Sequence, residues 1–337
     1  MVELASVVRP GDAIIWGQAC AEPQTLVESL VEQRASLSGC RVFLGSSFSG
    51  RVRPEHADHL RLSSYCGTGS NRALADAGVL EIVPAPYSQL GALIRGGRIG
   101  CDVVMVQVSP PNQRGEYSLG LAVEYLAPAL SRARAVIAEV NDKVPWTRTE
   151  PLLGSRDFAM TIESSRTPVM LPAAGLKDAE RALGAHAAPW VPEHAVLECG
   201  IGSLPNAVLQ ALRGRRGLGV HSGAIPDGVV DLELGFCTGG ALMGSQRLFD
   251  WARDNPALRL RSSDYTHGAE VLARLERFVA INSAVEVDLT GDVKRATRLV
   301  MAGELPGGGE SVLVETDAFE ARALQHEIDH TDGLLFL

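Results

Sequence analysis

Short apolar runs recur along this chain, and stretches with helical spacing separate most of them. This alternation constrains the fold more than any other feature. The run "DVVMVQVS" is almost continuously apolar and rich in valine, as a strand covered on both faces requires. "DAIIWGQ", "CRVFLGSS", "VLEIVPA", "LECG", "LGVHSG" and "RFVAIN" read as further strands. Between them, "PQTLVESLVEQRASL" places Leu26, Val27, Leu30 and Val31 on one helical face, with Pro23 suited to start the helix. "SQLGALIRGG" and "PALSRARAVIAEVN" add a helix and a helix followed by a strand. The pattern predicts an α/β fold with mostly parallel sheets.

At 337 residues the chain has material for two domains. Residues 172–195 carry alanine, proline and glycine punctuation around a short helix and read as the hinge between them. The net charge of −9 argues against nucleic acid or an anionic membrane as the main partner. No apolar run is long enough to span a bilayer, and no basic segment precedes an apolar stretch at the start. The six cysteines (20, 40, 66, 101, 199 and 237) include no C-x-x-C pair. They predict reduced, mostly buried thiols and a cytoplasmic protein.

Two loops carry unusual content. "QVSPPNQRGEYSLG" leaves the end of a strand through Ser109 and Pro110, where parallel sheets gather ligands, although a plain rigid connection fits as well. In "LECGIGSLPNAVLQAL", Gly200 and Gly202 permit a tight turn before a helix opened by Pro205. The free N–H groups there suit a phosphate or carboxylate, and a tight turn without ligand is the alternative.

Taken in order, "DVVMVQVSPPNQRGEYSLG", "AVIAEVN", "LECGIGSLPNAVL", "LGVHSGAIPDGVVDL" and "FVAINSAVEVDLTGDV" resemble the acetyl-CoA hydrolase/transferase family. These are class I CoA-transferases, among them the 4-hydroxybutyrate and acetate CoA-transferases. The resemblance implies two related CoA-transferase-like α/β domains, residues 1–180 and an incomplete 181–293, followed by a β-α tail at 294–337. It implies an acyl-CoA and a small carboxylate as substrates, coenzyme A as a substrate rather than a tightly bound cofactor, and homo-oligomer formation. Ser109, Pro110, Gly200, Gly202 and Asn282 fall in its motifs as substrate-binding positions. In the family a glutamate carboxylate attacks the thioester, passing through an acyl anhydride to a glutamyl-CoA thioester.

That glutamate commonly follows a His-Ser/Thr pair. Here the string is His221-Ser222-Gly223-Ala224, so the nucleophile position is Gly223. His221, as general base or oxyanion donor, and Asp227 are the catalytic candidates. Asp231, Glu233, Glu116 and Glu124 are further carboxylates within reach of the motifs. His221 and Ser222, being adjacent on a strand, point to opposite faces and form no Ser–His pair.

The tail introduces a second pattern. In "ALQHEIDHTDGLLFL", His326 and His330 would share a helix face and could grip one metal ion, with Glu327 as general base on bound water. The string resembles the C-terminal signature of peptide deformylases over about the last forty residues. "TRLVM" and "SVLVE" resemble the deformylase strands that lead into it. The segment that supplies a third metal ligand in that family is absent. A metal-dependent hydrolase and a non-catalytic remnant are therefore the alternatives to acyl-CoA chemistry.

Overall fold

The computed structural model describes residues 2–171, 175–282, 298–304 and 311–317. The chain forms two compact units, residues 1–282 and 283–337.

Within the first unit the strands are β1 (Ala13–Trp16), β2 (Arg41–Leu44), β3 (Arg61–Ser64), β4 (Leu80–Ile82), β5 (Val103–Val108), β6 (Glu116–Tyr117), β7 (Ala135–Asn141), β8 (Arg148–Thr149), β9 (Leu153–Gly154) and β10 (Met160–Ser164). They continue with β11 (Val196–Cys199), β12 (Leu218–Ile225), β13 (Leu234–Leu242), β14 (Leu258–Leu260) and β15 (Phe278–Ile281). The helices used below are α1 (Gln24–Gln33), α2 (Asn71–Asp76), α3 (Leu90–Arg95), α4 (Leu126–Arg132), α5 (Asp178–Ala187), α6 (Ser203–Ala211), α7 (Gln246–Ala252) and α8 (Ser263–Thr266).

One sheet has seven strands in the order β10-β7-β5-β1-β2-β3-β4, all parallel. The second has six, β15-β11-β12-β13-β14-β8, also parallel. The parallel α/β architecture expected from the alternation is therefore present. β8 belongs to the second sheet although it lies in sequence between β7 and β10. Two residues of chain cross over to pair with β14.

Alternation along the strands builds two cores. Ile14, Trp16, Val103 and Met105 face one core, and Ile15, Val104 and Val106 face the other, which also takes in Leu197, Val220 and Leu258 of the second sheet. Both faces of β1 and β5 are thus covered, which explains why their sequences are continuously apolar. Helix α1 buries Leu26, Val27 and Leu30, each contributing on the order of 2 kcal/mol. Its start is pinned by Glu139 on β7, whose carboxylate accepts from the Thr25 N–H and hydroxyl and from the Leu26 N–H. A carboxylate at that end also complements the helix dipole.

In the second unit the described residues form β16 (Arg298–Glu304) and β17 (Ser311–Asp317), an antiparallel pair. These coincide with the two tail segments read as strands. His326, Glu327 and His330 lie outside the described residues. Among the described residues no three His, Cys, Asp or Glu side chains are grouped to hold a metal. No described helix is long and apolar enough to cross a membrane. All six cysteines are free thiols, and Cys20, Cys40, Cys199 and Cys237 are buried.

Candidate active site

In the first sheet the strand order reverses at β1, which has β2 on one side and β5 on the other. Such a switch point opens a crevice at the carboxyl ends of the strands. The loop after β1 brings Gln18 there, and the segment after β5 brings Glu124. Gln18 Nε2 donates to Glu124 Oε1 at 2.8 Å and to the Tyr87 hydroxyl at 3.3 Å. Gln18 Oε1 accepts from the Ser46 N–H and the Tyr65 hydroxyl, both at 2.9 Å. The amide is thereby fixed in one orientation, with its donors turned towards the carboxylate.

Glu124 is only 2% exposed, and its Oε2 has no hydrogen-bond partner among the described residues. Burial pushes its carboxyl up to about 7, against hydrogen bonds from Tyr87 and Gln18 that pull it down. Its backbone φ is +38°, a left-handed conformation that costs a non-glycine residue about 1 kcal/mol or more. The surroundings impose that conformation. The Glu124 N–H donates to the Arg261 carbonyl, and the Glu124 carbonyl accepts from the Ser263 N–H, each at 3.2 Å.

The loop from β5 to Glu124 is built as a brace. Ser109 is fully buried, and its hydroxyl accepts from the Ser118 N–H at 3.3 Å. Ser118 Oγ donates to the Thr147 carbonyl at 2.7 Å, and Thr147 Oγ1 donates to the Gly120 carbonyl at 2.8 Å. Pro110 is exposed beside a cavity of about 420 Å³ that includes Asn112, Trp146 and Arg253 and does not include Glu124. These hydrogen bonds make the loop a rigid connection. Its consequence is the placement of Glu124.

His221 on β12 is buried, and its Nε2 lies 3.0 Å from the Thr266 carbonyl. A carbonyl only accepts, so that nitrogen carries the proton. Burial lowers the His221 pKa, while the Thr266 contact opposes it. The imidazole ties β12 to α8, whose first residue, Ser263, donates to the Glu124 backbone. His221 thus supports Glu124 from a distance. The neighbouring Ser222 turns the other way and bonds both backbone groups of Cys199. Gly223 faces His267. A Cβ at Gly223 would stand 2.8 Å from His267 Cε1 and 3.1 Å from Nε2. On the adjacent strand a Cβ at Gly240 would meet the Gly223 carbonyl at 2.7 Å and Glu124 Cγ at 3.3 Å. The two glycines form a floor with Glu124 at one side and His267 at the other.

Asp227 sits elsewhere. Its carboxylate accepts from the Ser245 N–H at 3.0 Å and from the Ser245 hydroxyl at 2.8 Å, which fixes the residue that precedes α7. Gly200 and Asn282 do meet. A Cβ at Gly200 would stand 2.5 Å from Asn282 Oδ1, and Asn282 Nδ2 donates to Glu198 at 2.6 Å. Gly202, at φ +120°, precedes α6, which begins at Ser203 rather than at Pro205. This second group lies at the carboxyl ends of β11 and β15.

Two family models match the chain. The acetyl-CoA hydrolase/transferase N-terminal domain matches residues 1–166, and the corresponding C-terminal domain matches residues 244–312. The second match continues past residue 293, where the sequence resemblance was drawn to a close. A 4-hydroxybutyrate coenzyme A transferase of Clostridium kluyveri is 31% identical over 295 residues, covering 83% of this chain and 69% of that protein. The crystal structure of RipA from Yersinia pestis aligns with a TM-score of 0.80 at 27% identity, over 86% of this chain and 73% of that one. The tail is 48% identical to a peptide deformylase of Halothermothrix orenii over only 48 residues, 30% of that protein. Short partial matches like this one are what supports the deformylase alternative. With the parallel α/β fold and these matches together, the chain belongs to the acetyl-CoA hydrolase/transferase family of CoA-transferases and acetyl-CoA hydrolases.

Proposed function

We propose that this protein exchanges CoA between an acyl-CoA and a small carboxylate, or hydrolyses the thioester, with Glu124 as the nucleophile. The observation that carries this reading is the Glu124 carboxylate: buried, backbone-strained, fixed through Oε1 and left without a partner at Oε2. Glycine occupies the position where the family resemblance puts its glutamate, and Glu124 is the carboxylate beside it.

The Glu124 oxygen attacks the thioester carbonyl and the C–S bond breaks, leaving an acyl–glutamyl anhydride and CoA thiolate. The thiolate then attacks the glutamyl carbonyl, which releases the first carboxylate and forms a glutamyl-CoA thioester. An acceptor carboxylate repeats the sequence in reverse, whereas water in its place gives hydrolysis. Gln18 donates to the carboxylate and holds its orientation, and Tyr87 backs the Gln18 amide. The Tyr87 hydroxyl stays protonated because burial raises its pKa well above the ordinary value. Gly240 leaves room for the Glu124 side chain, whose Cγ lies 3.3 Å from where a Cβ there would stand.

The test is covalent trapping. After incubation with acetyl-CoA, mass mapping should place a CoA adduct on the peptide containing Glu124. Glu124→Gln should remove the adduct and lower turnover by at least about a hundredfold. An adduct on another carboxylate, or undiminished turnover in Glu124→Gln, would sink the assignment.

A further inference from the structure

We infer that His267 confines the reacting carboxylate to position 124 by standing in the space that a side chain at position 223 would occupy. This rests on the reading of Glu124 as nucleophile. The obstruction is direct, since even a methyl group at 223 would meet the imidazole at 2.8 Å.

The ring is not free to swing aside. Its Nδ1 lies 2.9 Å from Thr266 Oγ1, and its ring meets Tyr87 in an edge-type contact with centroids 5.1 Å apart. The Thr266 carbonyl is itself held by His221 at 3.0 Å. The ring's two contacts make the imidazole a wall rather than a flexible tip. Tyr87 in turn accepts from Gln18 Nε2, the amide that donates to Glu124, so one ring both closes position 223 and backs the group that holds Glu124. A glutamate restored at 223 would need the ring displaced, whereas Glu124 already stands beside Gly240, its Cγ 3.3 Å from where a Cβ there would be. His267 is therefore a positioning residue that determines which of two neighbouring sites bears the nucleophile.

The experiment relocates the nucleophile in the full-length protein, with acetyl-CoA as probe. The wild type, Glu124→Gln, Glu124→Gln/Gly223→Glu and Glu124→Gln/Gly223→Glu/His267→Gly are compared by adduct mapping and by acetate exchange. The double variant should stay as inert as Glu124→Gln. The triple variant should regain at least tenfold in exchange over the double, with the adduct on the peptide containing position 223. Equal recovery without the His267 substitution, or a folded, acetyl-CoA-binding triple variant no better than the double, overturns the inference.

A second measurement is independent of turnover. Gly223→Ala should lower the melting temperature by several degrees with His267 present and by far less in a His267→Gly background. Additive effects of the two substitutions would also overturn it. Absence of a wild-type adduct on Glu124 would instead remove the underlying assignment, so the two failures are distinguishable.

Discussion

Ionising Glu124 in its buried setting opposes folding. Its carboxyl titrates at about 7 in the folded protein, against 4.5 ordinarily. A group raised in this way contributes stability that is fully present below about pH 4.5 and is lost as the pH rises through about 7. The difference corresponds to about 3 kcal/mol. Glutamine resembles the protonated form and avoids the loss. Glu124→Gln is therefore expected to raise the melting temperature by several degrees at pH 8 and to change it little at pH 4.5, as thermal unfolding at the two pH values would record. A destabilised variant at pH 8 would mean that the carboxylate is structural. The same titration governs the reaction, because only the ionised form attacks. kcat/KM should rise with pH through about 7. Tyr87→Phe removes a hydroxyl beside the Glu124 carboxyl that holds its pKa down. It should move the acid limb to higher pH, lowering kcat/KM about threefold at pH 6 and less above pH 9. An unmoved limb would separate Tyr87 from the carboxylate.

Elements, rather than single residues, hold this site together. β12 reaches α8 through His221 and Thr266, and the Ser263 N–H at the start of α8 reaches the strained Glu124 backbone. Removing the imidazole with His221→Ala should cost about 2 kcal/mol in urea unfolding and lower kcat more than it raises KM, because it loosens the support and not the substrate. Asp227→Ala should cost a similar amount by releasing Ser245 ahead of α7, yet leave turnover within about threefold. Loss of the Glu124 adduct in Asp227→Ala would instead return Asp227 to the chemistry. The apolar run of β5 and the helix face of α1 were legible in the sequence, because burial on both faces or on one stripe imprints a local period. The two-residue strand β8 was not legible, since its partner β14 lies more than a hundred residues on. Nor was the importance of Glu124. Its environment comes from Gln18, 106 positions earlier, and from residues 261–263 far downstream. One local signal was there to read. Glu124 is a lone charge inside the apolar stretch "LGLAVEYLAPAL", where an acid is expensive to bury without a purpose.

At the scale of the whole molecule, every group invoked in the site lies within residues 1–282. So do both described hydrophobic cores and both parallel sheets. The family's C-terminal match, however, runs from residue 244 to 312 and crosses the boundary between the two units. Folding of the first unit and completeness of the family's second domain are therefore different properties, and truncation separates them. A chain ending at Asn282 keeps the buried contacts that stabilise the two sheets. It is expected to melt cooperatively within about 10 °C of the full chain, as both described cores and both parallel sheets are retained. The pH-dependent stabilisation by Glu124→Gln should persist in it, because the carboxyl's neighbours Gln18 and Tyr87 are all retained. Acetyl-CoA affinity should fall at least tenfold in calorimetric titration, because residues 283–312 belong to the matched domain. Undiminished affinity in a folded truncated chain would place the whole CoA site within the two-sheet body and leave the tail outside the family's function.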